Sequence, residues 1–581
     1  MYDLIIKNGR IVDGTGNPAF DGDIAIKDGL VASLGSVSQP AKKTIDAKGN
    51  LVAPGWVDTH SHMDGQATWD PFCSPANHHG ITTLVMGNCG IGFAPCERTD
   101  KAHKDLIEVV EDVEDIPGTA LAEGIQWNWE SFPEYLDALD EMPRAINVAA
   151  QVPHCAIRTY VMGDRGVNNE RATPEDVERM AELVAEGIDA GGVGFTTSRT
   201  ELHKTRNGLS MPGTYSEEDE LFGIGKKLGE LGKGFYGMVS DFEDDAWLEE
   251  MEWVKRLSIE NNCRFNFVLF YQTDSQWTRV QEQLAFVRQA NEEGAQLVAH
   301  VGARPVNVLM SYHGTVNPFF MHQNFGPLTA LSPEQRIEKL KDPTVRAAIL
   351  AEPTPAMGIE AADRMATDFH LMFELGEEPD YEQSPDQSIA AKAERAGVTP
   401  QEYAYDALLK RDGEAMIYFP FMGYDQGNLD RQFEMLKDEN TVISLADTGA
   451  HCGVLSDASM PTFLLSHYAR DRSRGQLTIE EAVKMHTQET ARAVKLEDRG
   501  TLEIGMRADI NIIDFDNLRV LAPQVIYDLP AGGKRVFQKA IGYKYTIVAG
   551  EVIMQDGVET DARPGALVRG AQPAPSSVVA A

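Results

Sequence analysis

The chain is poor in cysteine, in positive charge and in long apolar runs, and each shortage removes a class of protein. Six cysteines among 581 residues are too few and too scattered for a disulfide framework. No stretch approaches the roughly 20 apolar residues that a membrane-spanning helix needs. Lys and Arg number 52 against 89 Asp and Glu, a net charge of −37, which opposes binding to nucleic acid or to an anionic membrane. The start, Met1-Tyr2-Asp3-Leu4-Ile5-Ile6-Lys7-Asn8-Gly9, reads as a strand and a turn. It lacks the basic start and long apolar centre of a signal peptide, so the expected location is the cytoplasm. What remains, at 43% hydrophobic and 24% charged residues, is an ordinary globular chain long enough for a large barrel plus a second domain.

Residues 1–53 alternate short strands with Asp-Gly and Asn-Gly turns, and the same texture returns at 497–565, so both ends are expected to build one split β-sandwich. Between them strands and helices alternate. Eight candidate strands run from Leu51–His62 through Thr82–Cys89, Ile146–His154, Gly192–Ser198, Gly234–Asp241, Arg264–Tyr271 and Ala295–His300 to Thr441–Asp447. Helical stretches such as Pro174–Ala190 and Glu217–Leu231 separate them. This order predicts an α/β fold, a TIM-type (β/α)8 barrel over 54–310 and 436–496, with its chemistry at the C-terminal strand ends. Residues 311–435 read as a mostly helical insertion or lid, and the Pro/Ala/Ser stretch within 566–581 as a flexible tail.

The side chains at the predicted strand ends carry the chemistry. Residues two apart on a strand share a face, so His60 and His62 aim two imidazoles at one point. Cys89 ends the second strand, His154 the third, His300 the seventh and Asp447 the eighth, with His451 just beyond. Imidazole, thiolate and carboxylate on one mouth suit zinc, with nickel, cobalt or manganese as rivals. Each has a plainer reading alone: Cys89 as a small buried hydrophobe, His154 and His300 as hydrogen-bonded core, Asp447 as a cap. Arg158, Arg199 and Arg304 follow strands three, four and seven. A guanidinium there can clamp a substrate carboxylate, or pair with one of the chain's many acids. Tyr271 and the Tyr418–Tyr424 segment offer apolar walls for an acyl pocket, or core packing.

Five stretches in order, Pro54-Gly55-Trp56-Val57-Asp58-Thr59-His60-Ser61-His62, Gly87-Asn88-Cys89-Gly90, Gly191–Arg199, Asp447-Thr448-Gly449-Ala450-His451 and Gly505–Ile510, resemble the amidohydrolase superfamily. Within it the resemblance is to the N-acyl-D-amino-acid deacylase (D-aminoacylase) branch. It implies a barrel flanked by a split β-sandwich, hydrolysis of an amide bond in a small-molecule substrate, metal at the barrel mouth and a homo-oligomer. Carried over by position, it makes His60, His62 and Asp447 one metal subsite, Cys89 a ligand of a second, and Asp447 the catalytic acid–base group.

The chain departs from that branch on strands five and six, where the deacylases place histidines and this sequence has none. One divalent ion, zinc foremost, is therefore expected rather than two, or Asp241, Gln272, His154 or His300 completes the shell. In this reading Asp447 takes a proton from water and returns it to the leaving nitrogen. His154, His300 and His451 polarise the carbonyl or orient the ligands. Three functions remain open: hydrolysis of a linear amide such as an N-acyl-D-amino acid, hydrolysis of a cyclic amide, lactam or imide, and a barrel that binds ligand without turnover.

Overall fold

The computed structural model describes residues 1–205, 207–240, 246–271, 273–356, 360–444 and 446–576. It is a mixed α/β protein in which both chain ends contribute to one nine-stranded sheet. Tyr2–Ile11, Phe20–Lys27, Leu30–Gly35, Ala41–Asp46 and Leu51–Pro54 come from the N-terminal side. Ile510–Ile513, Tyr543–Val548, Glu551–Gln555 and Val558–Glu559 come from the C-terminal side. The sandwich expected from the sequence is thus one continuous sheet, with two further two-stranded ribbons beside it. Local chemistry sets its turns: Asp28 and Gly29 both have positive φ, 53° and 75°, the two-residue geometry that closes tight hairpins. Leu4, Ile6, Ile24, Ile26, Val52, Ile510, Ile512 and Ile547 close a core of their own.

The predicted first strand, Leu51–His62, is two strands. Leu51–Pro54 pairs antiparallel with Ile510–Ile513, whereas Trp56–Asp58 runs parallel to Ile81–Met86. The break is at Gly55, where a β-carbon would lie 2.1 Å from Thr82 Oγ1, so only glycine lets the chain pass from one sheet into the next.

Trp56–Asp58, Ile81–Met86 and Asn147–Ala150 form one parallel sheet. Val152–Pro153, Phe195–Ser198, Tyr236–Val239, Phe265–Val268, Leu297–Val301 and Thr441–Ile443 form a second. Gln151 alone separates Asn147–Ala150 from Val152–Pro153, and Ser61 bridges in parallel to Thr448 at the other end of the series. The intervening helices follow their sequence signals. Pro174–Ala190 starts with a Thr173/Asp176 capping box and a proline in the first turn, stops at Gly191, and buries Met180, Leu183, Val184 and Ile188.

The 311–435 segment carries the helices expected of it, and two of its strands, Phe373–Leu375 and Met416–Pro420, join Asn307–Met310 just before it in an antiparallel sheet; around these elements packs a separate core that includes Met310, Tyr312, Leu340, Tyr405, Ile417 and Phe419. One expectation changes. The tail is not loose over its first part. Leu567 and Val568 are buried, Val568 N donates to Val148 O, and Gln572 N donates to Lys495 O. Among the described residues no helix is long and apolar enough to cross a membrane.

Candidate metal centre and active site

His60 and His62 do not lie on a strand; they follow its end at Asp58. Their convergence is built by backbone bonds to the last loop of the series. Asp447 N donates to His60 O at 3.0 Å and His62 N to Thr448 O at 2.8 Å. Asp58 ties the two segments together: Oδ1 accepts from His60 N and Oδ2 from Thr448 Oγ1, each at 3.0 Å. Burial pushes the Asp58 carboxyl up to about 7, against those two bonds, which lower it.

Cys89 arrives on a left-handed turn, with φ of 82° at Gly87, 56° at Cys89 and 73° at Gly90. A β-carbon on Gly87 would stand 2.4 Å from Gln151 O, so the glycine is what allows the turn to tuck against the neighbouring strand. Cys89 Sγ then lies 3.2 Å from His60 Nε2. Among the described residues His60, His62 and Cys89 each offer a donor atom within 4.8 Å of the others. Asp447, at φ 48°, places Oδ1 3.4 Å from His62 Nε2 and 3.8 Å from His60 Nε2. That oxygen is buried and makes no hydrogen bond.

The donors fit a divalent cation. Burial pushes His60 down to about 3 and His62 well below its ordinary range, so both are neutral ligands at physiological pH. Burial, reinforced by neighbouring carboxylates, pushes Cys89, Asp447 and Glu114 up. Among the described residues none of Asp58, Asp64, Glu114 and Asp447 forms an ion pair with lysine or arginine. Acceptors crowded without a balancing cation reverse these shifts once a metal ion supplies the charge.

Two further side chains at the cluster carried no individual expectation from the sequence. Glu114 closes the helix Asp100–Glu114, is fully buried, and sets Oε1 3.4 Å from His62 Nδ1 and Oε2 3.8 Å from His451 Nε2. Its signal was present: it continues the buried stripe Leu106, Val109, Val110, Val113, where a charge is out of place. His203 comes from the loop after Phe195–Ser198, with Nδ1 3.0 Å from Ser198 Oγ, and nothing periodic marks that loop.

The other sequence candidates divide. His451 lines the cavity above the cluster. His300 sits beside His60 and Cys89 in a small pocket of about 20 Å³ on the strand side, with Nε2 unpartnered and its pKa pushed by burial down to about 4. His154 is not at the cluster's service. It begins the helix His154–Met162, and both its nitrogens are engaged at 2.8 Å, Nδ1 with Thr197 Oγ1 and Nε2 with Glu220. Arg158 pairs with the same Glu220, Arg199 with Glu250, and Arg304 with Asp457 while stacking on Tyr381. All three arginines are therefore tied into the scaffold. Tyr271 donates to Gly423 O at 3.0 Å and lines a different small pocket. Asp241 and Gln272 lie outside the described residues.

Over the donors opens a cavity of about 430 Å³, with His60, Cys89, Asp447, His203 and His451 on one side and mostly valine, methionine and phenylalanine on the other. A family model described as the amidohydrolase family matches residues 43–554. The chain belongs to the amidohydrolase family. It is 25% identical to an N-acyl-D-glutamate deacylase of Alcaligenes xylosoxydans xylosoxydans, over 98% of this chain and 96% of that one. Among solved structures, D-aminoacylase, described as defining a novel subset of amidohydrolases, superposes with a TM-score of 0.65 at 20% identity, covering 98% of this chain and 100% of that one. An N-acyl-D-glutamate deacylase from Bordetella bronchiseptica, solved with zinc and a phosphonate mimic of the tetrahedral intermediate, also gives 0.65, at 23% identity over 98% and 99%. These two solved structures share the fold of this chain.

Proposed function

We propose that this chain is a metal-dependent hydrolase of carbon–nitrogen amide bonds, with deacylase-like chemistry on a linear amide. The observation that carries the reading is the convergence of His60, His62 and Cys89 with the unpartnered Asp447 oxygen on the floor of one cavity. The names of the full-length relatives, both deacylases, support it. With Asn147–Pro153 counted as one interrupted strand, the parallel strands read as a (β/α)8 barrel joined through Ser61 and Thr448, and the cluster lies at its C-terminal mouth. Two imidazoles, one sulfur and one carboxylate oxygen would hold one divalent ion, zinc by ligand softness, with the cavity side left open to water and substrate. The described parts of strands five and six, Tyr236–Val239 and Phe265–Val268, bring no imidazole for a second.

When bound, such an ion supplies Lewis acidity, lowering the pKa of water towards ~7 and polarising an acyl carbonyl. The side chains do the rest. Asp447, held as a carboxylate by the bound ion, would accept a proton from the attacking water and deliver it to the departing nitrogen, which leaves poorly unless protonated. His203 and His451, both neutral through burial, at about 3 and about 4, face the cavity, where an N–H stabilises the developing oxyanion. Glu114, with Oε1 3.4 Å from His62 Nδ1, favours the proton on that nitrogen and so leaves Nε2 as the ligand.

An activity screen of zinc-loaded protein on N-acyl and cyclic amides, with Asp447→Asn as control, tests this reading. The variant should fold normally and lose about 10²–10⁴ in kcat. Wild-type turnover by the variant contradicts the assignment.

A further inference from the structure

The turn Gly87–Gly90 delivers Cys89 in a left-handed conformation, which a residue other than glycine keeps only where its surroundings impose it. Neighbouring side chains do so here. Asp64, two residues past His62, accepts at Oδ2 from Gly87 N at 3.1 Å. Asn88 Nδ2 donates to Val85 O at 2.9 Å and to Ser61 O at 3.3 Å, and Gln151 Nε2 donates to Asn88 Oδ1 at 2.9 Å. Thr196, on the strand Phe195–Ser198, closes the turn: its hydroxyl donates to Gly87 O and accepts from Gly90 N at 3.0 Å. One hydroxyl thus spends its single proton and a lone pair on the two ends of the turn, with Cys89 between them. Thr196, Gly87 and Gly90 are all buried, so removing the hydroxyl takes this partner from both backbone groups where water does not replace it easily. Cys89 Sγ, 3.2 Å from His60 Nε2, is placed only as well as the turn that carries it.

Resting on the metal reading above, we propose that Thr196 is a positioning residue for the metal centre. Through Gly87 and Gly90 its hydroxyl sets Cys89 Sγ against His60 and His62, and so decides whether sulfur enters the shell of the ion.

Full-length protein loaded with cobalt(II) in place of zinc tests this, because a cobalt–thiolate bond gives a charge-transfer absorption in the near ultraviolet. Wild type should show that band and Cys89→Ser should not. Thr196→Val keeps the side chain's shape and removes its hydroxyl; it should lose most of the band and bind cobalt about 10–100-fold more weakly. Thr196→Ser keeps the hydroxyl and should retain both. Thr196→Ala provides a second loss variant should the valine protein not fold. A urea melt of each variant separates stability from placement, since a role in packing alone moves the melt and leaves the band of the folded protein unchanged. A folded Thr196→Val protein with the wild-type band and affinity overturns the proposal and leaves the metal reading standing. Equal loss of the band in Thr196→Ser and Thr196→Val also overturns it. Cobalt bound by wild type without the band overturns the assignment of Cys89 and this proposal with it, and failure of wild type to bind cobalt overturns the metal reading itself.

Discussion

Glu114 Oε1 lies 3.4 Å from His62 Nδ1, with both side chains buried. A carboxylate behind a ligating imidazole fixes its tautomer and raises its basicity. Glu114→Gln should therefore weaken zinc binding by roughly 10–100-fold, with a smaller change in KM than in metal affinity. Competition titration with a chromophoric chelator reads this directly. Unchanged zinc affinity would show that Glu114 only packs.

Much of this architecture is legible in the chain. The capping box and Gly191 mark the ends of Pro174–Ala190 in the sequence, and the His60/His62, Cys89 and Asp447 segments stand out because three ligand chemistries follow the first, second and eighth parallel strands. Other parts are not legible, for physical reasons. Leu51–His62 looks like one run because both halves are apolar, and only the contact of Gly55 with Thr82 divides it. His154 and the three arginines look available because their partners, Glu220, Glu250 and Asp457, are 50 or more residues distant or sit on separate elements. His203 is brought in by a loop whose path no periodicity encodes.

Glu220 makes an acid-labile strut. Burial raises its carboxyl, but the bonds from His154 and Arg158 outweigh that and pull it down to about 2. Burial also lowers His154, despite the carboxylate beside it, so a neutral imidazole donates to Glu220. A depressed acid stabilises the fold above its unfolded value of 4.5 and loses that contribution as pH falls towards 2. The expected loss is on the order of 3 kcal/mol. Urea melts between pH 6 and about 2.5 should show this slope in the wild type and a shallower one in Glu220→Gln. Parallel curves would remove Glu220 from the account.

The C-terminal segment holds the parallel sheet as well as ending the chain. Leu567 and Val568 are buried, and Val568 N bonds Val148 O at 2.7 Å. Deleting residues 566–581 should cost about 3 kcal/mol, from two buried aliphatic side chains at 1.5–3 kcal/mol each, reduced by partial collapse of the site. A differential scan showing an unchanged Tm would mean that the segment contributes nothing.

The central claim is that one sulfur, two imidazoles and a carboxylate share an ion, and the zinc K-edge absorption of the loaded protein measures that shell. The account predicts a single sulfur near ~2.3 Å with nitrogen and oxygen at ~2.0–2.2 Å, the sulfur vanishing in Cys89→Ser. A wild-type shell of nitrogen and oxygen alone would contradict it.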